Sequence, residues 1–209
     1  GVAGVTPANV LVLGGGVVGG GAVNVALGMG ANVTLVDQVD EVLEKNKRLH
    51  PALTIVNSRH QAIDDLVAKA DLIIGAVLVA GGSAPKVVSE AMVKTMKKGS
   101  VIVDVAIDQG GCIATSSVTS HDQPIYTRHG VIHYCVGNMP SAAAWTSTQA
   151  LTNATIPYVL ELASKGCEQA LRENAALRRG LNIYNGTLTL EAVAKAQQIA
   201  WQPAEQLLA

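Results

Sequence analysis

A glycine-rich turn at the end of a short apolar run is the strongest constraint in this sequence. Residues 9–13 are apolar after Asn9, and Gly14-Gly15-Gly16-Val17-Val18-Gly19 follows directly. The spacing is GxGxxG. Beyond it, residues 17–29 place Ala22, Val25, Ala26 and Met29 on one helical face. A strand, a glycine turn and a helix in that order form the phosphate-binding start of a dinucleotide fold. Gly14 permits the tight turn, Gly16 leaves room for a pyrophosphate against the backbone, and Gly19 lets the helix pack closely on the sheet. The helix N-terminus contributes free N–H groups and partial positive charge. A nucleoside-triphosphate loop is excluded, because no Lys-Ser or Lys-Thr pair follows Gly19 or Gly20. Gly20 and Gly21 carry the run into the helix at a cost of about 1 kcal/mol each relative to alanine, for which close packing is the expected reason.

The next strand-like run, residues 32–36, is closed by Asp37. At this distance from the glycines a carboxylate accepts hydrogen bonds from adenosine ribose hydroxyls and repels a 2′-phosphate, which favours NAD over NADP. The competing reading is an ordinary turn or capping aspartate.

Strands and helices continue to alternate: a helix over 40–49, a strand over 53–56, a helix over 60–69, an apolar strand over 72–79, a helix capped by Ser89 through residue 96, and a strand over 101–105. Apolar runs without alternation fit strands buried on both faces of a parallel sheet. The expected fold is α/β, a Rossmann-type doubly wound parallel sheet with right-handed crossovers. From about Ser141 the pattern turns helical, with Leu151, Ala154, Tyr158 and Leu162 in register and Pro157 expected to kink the helix. Lys165-Gly166 reads as a stop, Asn185-Gly186 as a hairpin turn, and Thr189 as the cap of a final helix over 191–200. The expected domains are 1–144, dinucleotide-binding, and 145–209, a helical segment too small for an independent core.

The 209 residues suit one domain plus an appendage or two small domains, and 49% hydrophobic against 15% charged residues excludes a disordered chain. A net charge of -1 gives no footprint for nucleic acid or an anionic membrane. No apolar run is long and uninterrupted enough for a membrane span, and no secretion signal stands out. Cys112, Cys135 and Cys167 form no CxxC pair, so they read as buried free thiols in a reducing cytoplasm. His129 and His133 have a metal-like spacing but no further ligand cluster nearby, so no metal is expected. The start at Gly1 rather than Met implies processing or a longer parent chain.

Ligands of an open α/β sheet bind at the carboxyl ends of the strands. Two loops there are unusual. Ala80-Gly81-Gly82-Ser83-Ala84-Pro85-Lys86 could border the nicotinamide. Ala106-Ile107-Asp108-Gln109-Gly110-Gly111 sets polar side chains on a glycine-hinged turn, where Asp108 could accept a proton or orient a reacting group, or simply cap the turn. Asp104, inside the strand, reads as structural. Asn138, after the run ending at Cys135, could bond the cofactor's carboxamide or ribose, or serve as a turn residue.

These motifs resemble the alanine dehydrogenase family. The similarity is carried by residues 70–78, Ala84-Pro85-Lys86, residues 103–111, His133-Tyr134, Asn138-Met139-Pro140, residues 150–155 and Pro157-Tyr158, and it extends through nearly the whole chain. The transhydrogenase alpha subunit shares related motifs, but residues 138–140 and 151–155 resemble alanine dehydrogenase better. The resemblance implies NAD-dependent oxidative deamination of L-alanine to pyruvate and ammonia in a homo-oligomer, commonly a hexamer. It implies that Asp108 is the catalytic acidic residue, and that Gly14, Gly16, Gly19, Asp37, Ser58, Ile107, Asn138 and Met139 form the cofactor site. It also implies that an arginine and a lysine for the substrate carboxylate, and a proton-transferring histidine, come from a segment preceding the glycine-rich domain. Some relatives place a lysine where this chain has Val42. The alternatives are a non-catalytic NAD-binding module and a transhydrogenase-like nucleotide-binding subunit.

Overall fold

The computed structural model describes residues 2–79 and 82–208. Ala80 and Gly81, in the loop expected to border the nicotinamide, lie outside them, as do Gly1 and Ala209. The chain divides into two compact units, one of residues 2–79 and 83–139, the other of residues 82 and 140–208.

The first unit opens with β1 (Asn9–Leu13), α1 (Val17–Gly28), β2 (Asn32–Asp37), α2 (Asp40–Leu49) and β3 (Thr54–Asn57). It continues with α3 (Asp64–Lys69), β4 (Leu72–Gly75), α4 (Glu90–Thr95), β5 (Val101–Asp104), β6 (Ile125–Arg128) and β7 (Val131–Tyr134). The strands form a sheet in the order β3-β2-β1-β4-β5-β7-β6. Every pairing is parallel except β6 with β7, which is antiparallel.

The pleat sends successive side chains of β1 to opposite faces, and each face has its own core. Val10 and Val12 pack with Val23 and Ala26 of α1 and Leu43 of α2. Leu11 and Leu13 pack with Val67 of α3, Val93 of α4 and Ile102 of β5. Helices on both faces make this the doubly wound α/β architecture.

Several elements depart from the pattern read in sequence. β4 ends at Gly75 and β5 at Asp104, not at residues 79 and 105. The register pairs Leu13 with Gly75 and Gly75 with Asp104, so the carboxyl ends of β1, β4 and β5 lie level. Residues 76–79 leave the sheet, and residues 105–109 wind into a 3-10 turn. α3 begins at Asp64 rather than residue 60. β6 has no apolar signature, being a mostly exposed edge strand that turns into β7 through His129 and Gly130, both at positive φ.

In the second unit, a 3-10 turn (Met139–Ala143, its first residue in the first unit) leads into α5 (Ala144–Lys165), which runs through Pro157 without a break. α6 (Cys167–Glu173), α7 (Ala175–Gly180), a hairpin of β8 (Ile183–Tyr184) and β9 (Thr187–Leu188), α8 (Glu191–Gln197) and α9 (Ala204–Leu207) follow. Leu171, Ala204 and Leu208 form a small apolar cluster flanked by Leu177, Leu181 and Tyr184. The stop at Gly166 and the turn at Asn185-Gly186 stand where the sequence put them. Thr189 does not cap α8: its hydroxyl donates to the Leu181 carbonyl, and α8 starts from Leu190 and ends at Gln197. Cys112 and Cys135 are buried, whereas Cys167 is exposed, contrary to the expectation of three buried thiols.

Candidate dinucleotide cleft and acidic turn

The level carboxyl ends of β1, β2 and β4 frame a cleft of about 470 Å³, lined by Gly14, Gly16, Asp37, Ser58, Val77 and Pro85 among others. Its floor follows from the glycines. Gly14 has φ +94°, and a Cβ there would lie 2.7 Å from the Ala76 carbonyl oxygen. A Cβ on Gly19 would lie 1.8 Å from the Gly14 carbonyl oxygen, so only hydrogen lets α1 begin this close to the turn. Gly16 differs, because a Cβ there meets nothing within 4 Å and would project into open space. Gly16 is also the N-cap of α1, which no side chain caps. An uncapped helix N-terminus beside vacant volume is suited to a phosphate.

Asp37 serves as a turn aspartate on the wall of the cleft. Its Oδ2 accepts the Gly15 N–H at 2.7 Å, and its Oδ1 accepts the N–H groups of Gln38 at 2.7 Å and Val39 at 3.0 Å. The carboxylate therefore fixes the glycine turn and the end of β2 while still lining the cleft. Ionised oxygens each accept more than one bond, which leaves capacity for a ribose hydroxyl. The Ser58 N–H donates to the Asp37 carbonyl at 3.0 Å, placing Ser58 beside it.

One contributor has no place in the sequence reading. Asn46, 5% exposed on α2, donates from Nδ2 to the carbonyls of Gly15 at 3.0 Å and Val42 at 2.8 Å. A Cβ on Gly20 would come within 3.1 Å of Asn46 Oδ1, so close packing does account for Gly20, whereas Gly21 faces open space. Val42, in place of the lysine of some relatives, lines the cleft and lies over Gly15. A polar residue at an inward helical position was the available sign for Asn46.

The second group sits beyond β5. Asp108 is exposed on the 3-10 turn, and its Oδ1 and Oδ2 lie 3.3 and 3.4 Å from the Asn138 backbone nitrogen, which donates to them. Asn138 adopts φ 53°, the left-handed region that asparagine tolerates. Gln109 clips the turn to the cleft wall: its Oε1 accepts the Val79 N–H at 3.2 Å and its Nε2 donates to the Val79 carbonyl at 3.0 Å. Val79 lines the cleft. Ile107 is 3% exposed and packs against Gly111, while Met139 opens the next 3-10 turn; neither lines the cleft.

Asp104 is structural, as its position in the strand suggested. Fully buried, it accepts the N–H groups of Cys112 at 3.3 Å and Ile113 at 3.1 Å. Burial, then the Asp104 carboxylate, pushes the Cys112 thiol up to about 12, so it stays protonated. His133 is also fully buried. Its Nε2 contacts the Thr115 hydroxyl at 2.8 Å and its Nδ1 the Val131 carbonyl at 3.0 Å. A carbonyl only accepts, so Nδ1 carries the proton and Nε2 accepts from Thr115. His129 instead pairs with Glu90 at 2.7 Å, and among the described residues no group of three or more His, Cys, Asp or Glu side chains could hold a metal ion.

The glycine turn, uncapped helix and Asp37 fit a dinucleotide. The family described as "Alanine dehydrogenase/PNT, C-terminal domain" matches residues 1–191. An alanine dehydrogenase of Methanococcus maripaludis is 52% identical over 216 residues, covering 100% of this chain and 56% of the relative. One of Bacillus subtilis is 50% identical, with the same coverage of 100% and 56%. A solved L-alanine dehydrogenase superposes with TM-score 0.82 at 47% identity, again over 100% of this chain and 56% of that one. A transhydrogenase from Sinorhizobium meliloti superposes with TM-score 0.62 at 28% identity, over 69% of this chain and 41% of the other. The chain thus spans little more than half the length of the curated relatives it matches, and it belongs to the alanine dehydrogenase/PNT C-terminal-domain family.

Proposed function

We propose that this chain is the NAD-binding and C-terminal part of an L-alanine dehydrogenase, converting L-alanine, water and NAD+ to pyruvate, ammonium, NADH and a proton. The observation that carries the reading is the cleft in which Gly14, Gly16, the start of α1 and Asp37 converge. The substrate comes from the names of relatives about half identical along the whole chain. NAD, when bound, supplies the hydride acceptor for the alanine Cα.

The chain's own residues have separable roles. Gly14 and Gly16 admit the pyrophosphate to the backbone, with Gly19 allowing the helix to start there. Asp37 holds the ribose hydroxyls, and Ser58 lies on the same wall. Ile107, Asn138 and Met139 serve the nicotinamide end, supported by resemblance. Asp108 accepts a proton from the substrate nitrogen or the attacking water, with the Asn138 N–H holding its carboxylate in place. The arginine, lysine and histidine of the alanine site are supplied by the part of the relatives that this chain does not match.

The exposed apolar side chains of Val17, Val18 and Val25 on α1 and of Met29 at its C-cap support a homo-oligomer, a hexamer by resemblance, since monomers rarely leave such a patch open to water. Among the described residues no helix is long and apolar enough to cross a membrane, and a cytoplasmic location fits this.

The test is alanine-dependent reduction of NAD by the full-length protein, with Asp108→Asn expected to lower turnover by about 10²- to 10⁴-fold. Unchanged turnover in that variant removes Asp108 from the chemistry. The likeness to a transhydrogenase favours one second reading, which hydride exchange between two dinucleotides without alanine would select.

A further inference from the structure

The turn that carries Asp108 ends in two left-handed glycines, Gly110 at φ 88° and Gly111 at φ 76°. Consecutive residues in this conformation turn their carbonyls away from the normal ladder and leave them needing a donor. Among the described residues the Lys86 ammonium meets that need. It donates to the carbonyls of Gly110 at 2.5 Å and Gly111 at 2.8 Å, and reaches that of Ile113 at 3.5 Å. A lysine ammonium has three N–H donors and no acceptor, so three converging carbonyls match its full capacity.

The remaining polar groups of the turn are also engaged. Asp104 takes the N–H groups of Cys112 and Ile113 from below. The Cys112 carbonyl accepts from Val87 and Val88, and the Gln109 carbonyl accepts from Ala84. Gln109's side chain is tied separately to Val79 in the cleft wall. The hinge after Asp108 therefore rests on Lys86, while the link to the nucleotide cleft does not.

We propose that Lys86 is a positioning residue for the reaction: by gathering the carbonyls of Gly110, Gly111 and Ile113, it sets where the Asp108 carboxylate stands. This rests on the reading of Asp108 as the acid–base group. Without Lys86, the two most permissive residues of the turn lose their common donor, and Asp108, two positions upstream, loses its fixed place. A displacement near 1 Å at a reacting group costs about 10²-fold in rate.

The experiment is a mutant cycle in the full-length protein with L-alanine and NAD. Lys86→Met is expected to lower kcat by about 10- to 100-fold, with the NAD dissociation constant within about twofold of the parent by calorimetry, because the Gln109 clip is intact. Lys86→Arg, which keeps the charge, should recover part of the loss and covers the case in which Lys86→Met fails to fold. In an Asp108→Asn background, Lys86→Met should cost no further turnover. The proposal is overturned if turnover and NAD affinity fall together, or if the loss is undiminished in the Asp108→Asn background. Full turnover in Asp108→Asn alone would sink the reading beneath it, whereas loss in Asp108→Asn with none in Lys86→Met sinks only the role of Lys86.

Discussion

Gly16 and Gly19 stand three residues apart in one motif, yet they are glycine for different reasons. Gly19 faces the Gly14 carbonyl, and Gly16 faces open space. Gly19→Ala should therefore destabilise the fold by about 3 kcal/mol through overpacking, read from urea unfolding. Gly16→Ala should fold normally, since its φ of −66° suits alanine, and should weaken NAD binding by about 10- to 100-fold. Equal stability losses in the two variants would refute the assignment. His133 supplies a second test at this scale. Its pKa is held below the ordinary 6.5, chiefly by burial and secondarily by Arg128 and His129, against the raising effect of the Val131 carbonyl and Asp104. The unfolded chain takes up this proton more readily than the folded one. The stabilisation is thus present above pH 6.5 and is lost as pH falls through the lower folded-state value. Thermal midpoints should decline below about pH 6.5, and His133→Gln should flatten that decline; an identical profile in the variant would exclude His133 as its source. The residue scale was only partly legible. Gly14, Gly16 and Asp37, read in the sequence as one cofactor site, line one cleft, and a missing side chain and a strand-end carboxylate have local signatures. Lys86 has none, being an ordinary polar residue until the fold brings carbonyls to it, and Asn46 has only its polar side chain at an inward helical position.

At the scale of elements, boundaries depend on what the chain meets. The apolar run 72–79 reads as one strand, yet β4 stops at Gly75, where a Cβ would lie 2.5 Å from Cys112 Sγ, and the remainder turns out to line the cleft. β6 gave no signal because an edge strand needs no buried face. α8 shows the opposite error: Thr189 looks like a cap, but the Leu181 carbonyl takes its hydroxyl. Ser89 is a cap in fact. Its hydroxyl accepts the Met92 N–H at 3.2 Å, and its own N–H donates to Met92 Sδ at 3.4 Å. Ser89→Ala should cost about 1 kcal/mol, and Ser89→Asp should restore most of it. Equal stability of the serine and alanine proteins, by denaturant midpoint, would show that α4 does not depend on this cap.

For the whole molecule, a ligand that binds only the folded state adds stability by mass action. NAD at about 100 times its dissociation constant should add about 2.7 kcal/mol, seen as slowed hydrogen exchange across β1, β2 and β4. NADP should protect much less, because Asp37 at the end of β2 opposes a 2′-phosphate; equal protection by the two would overturn the ribose role. The exposed apolar face formed by Val18 and Val25 of α1 with Met29 at its C-cap, Met29 being 70% exposed, predicts self-association by sedimentation velocity, weakened by Val25→Lys. A monomer at every concentration would leave that face unexplained.

The sequence by itself determined the order of strands and helices from β1 to β5, the doubly wound class, the glycine turn and the acid at the end of the second strand. Each depends on neighbours within one strand–turn–helix unit, where periodicity and the lack of a side chain are visible locally. Only the tertiary structure decided how the acidic turn is held. Lys86 reaches Gly110 across 24 positions, and Gln109 reaches Val79 and Asn138 reaches Asp108 across 30 each. Such bonds exist because parallel strands level their carboxyl ends, so that loops distant in the chain emerge side by side.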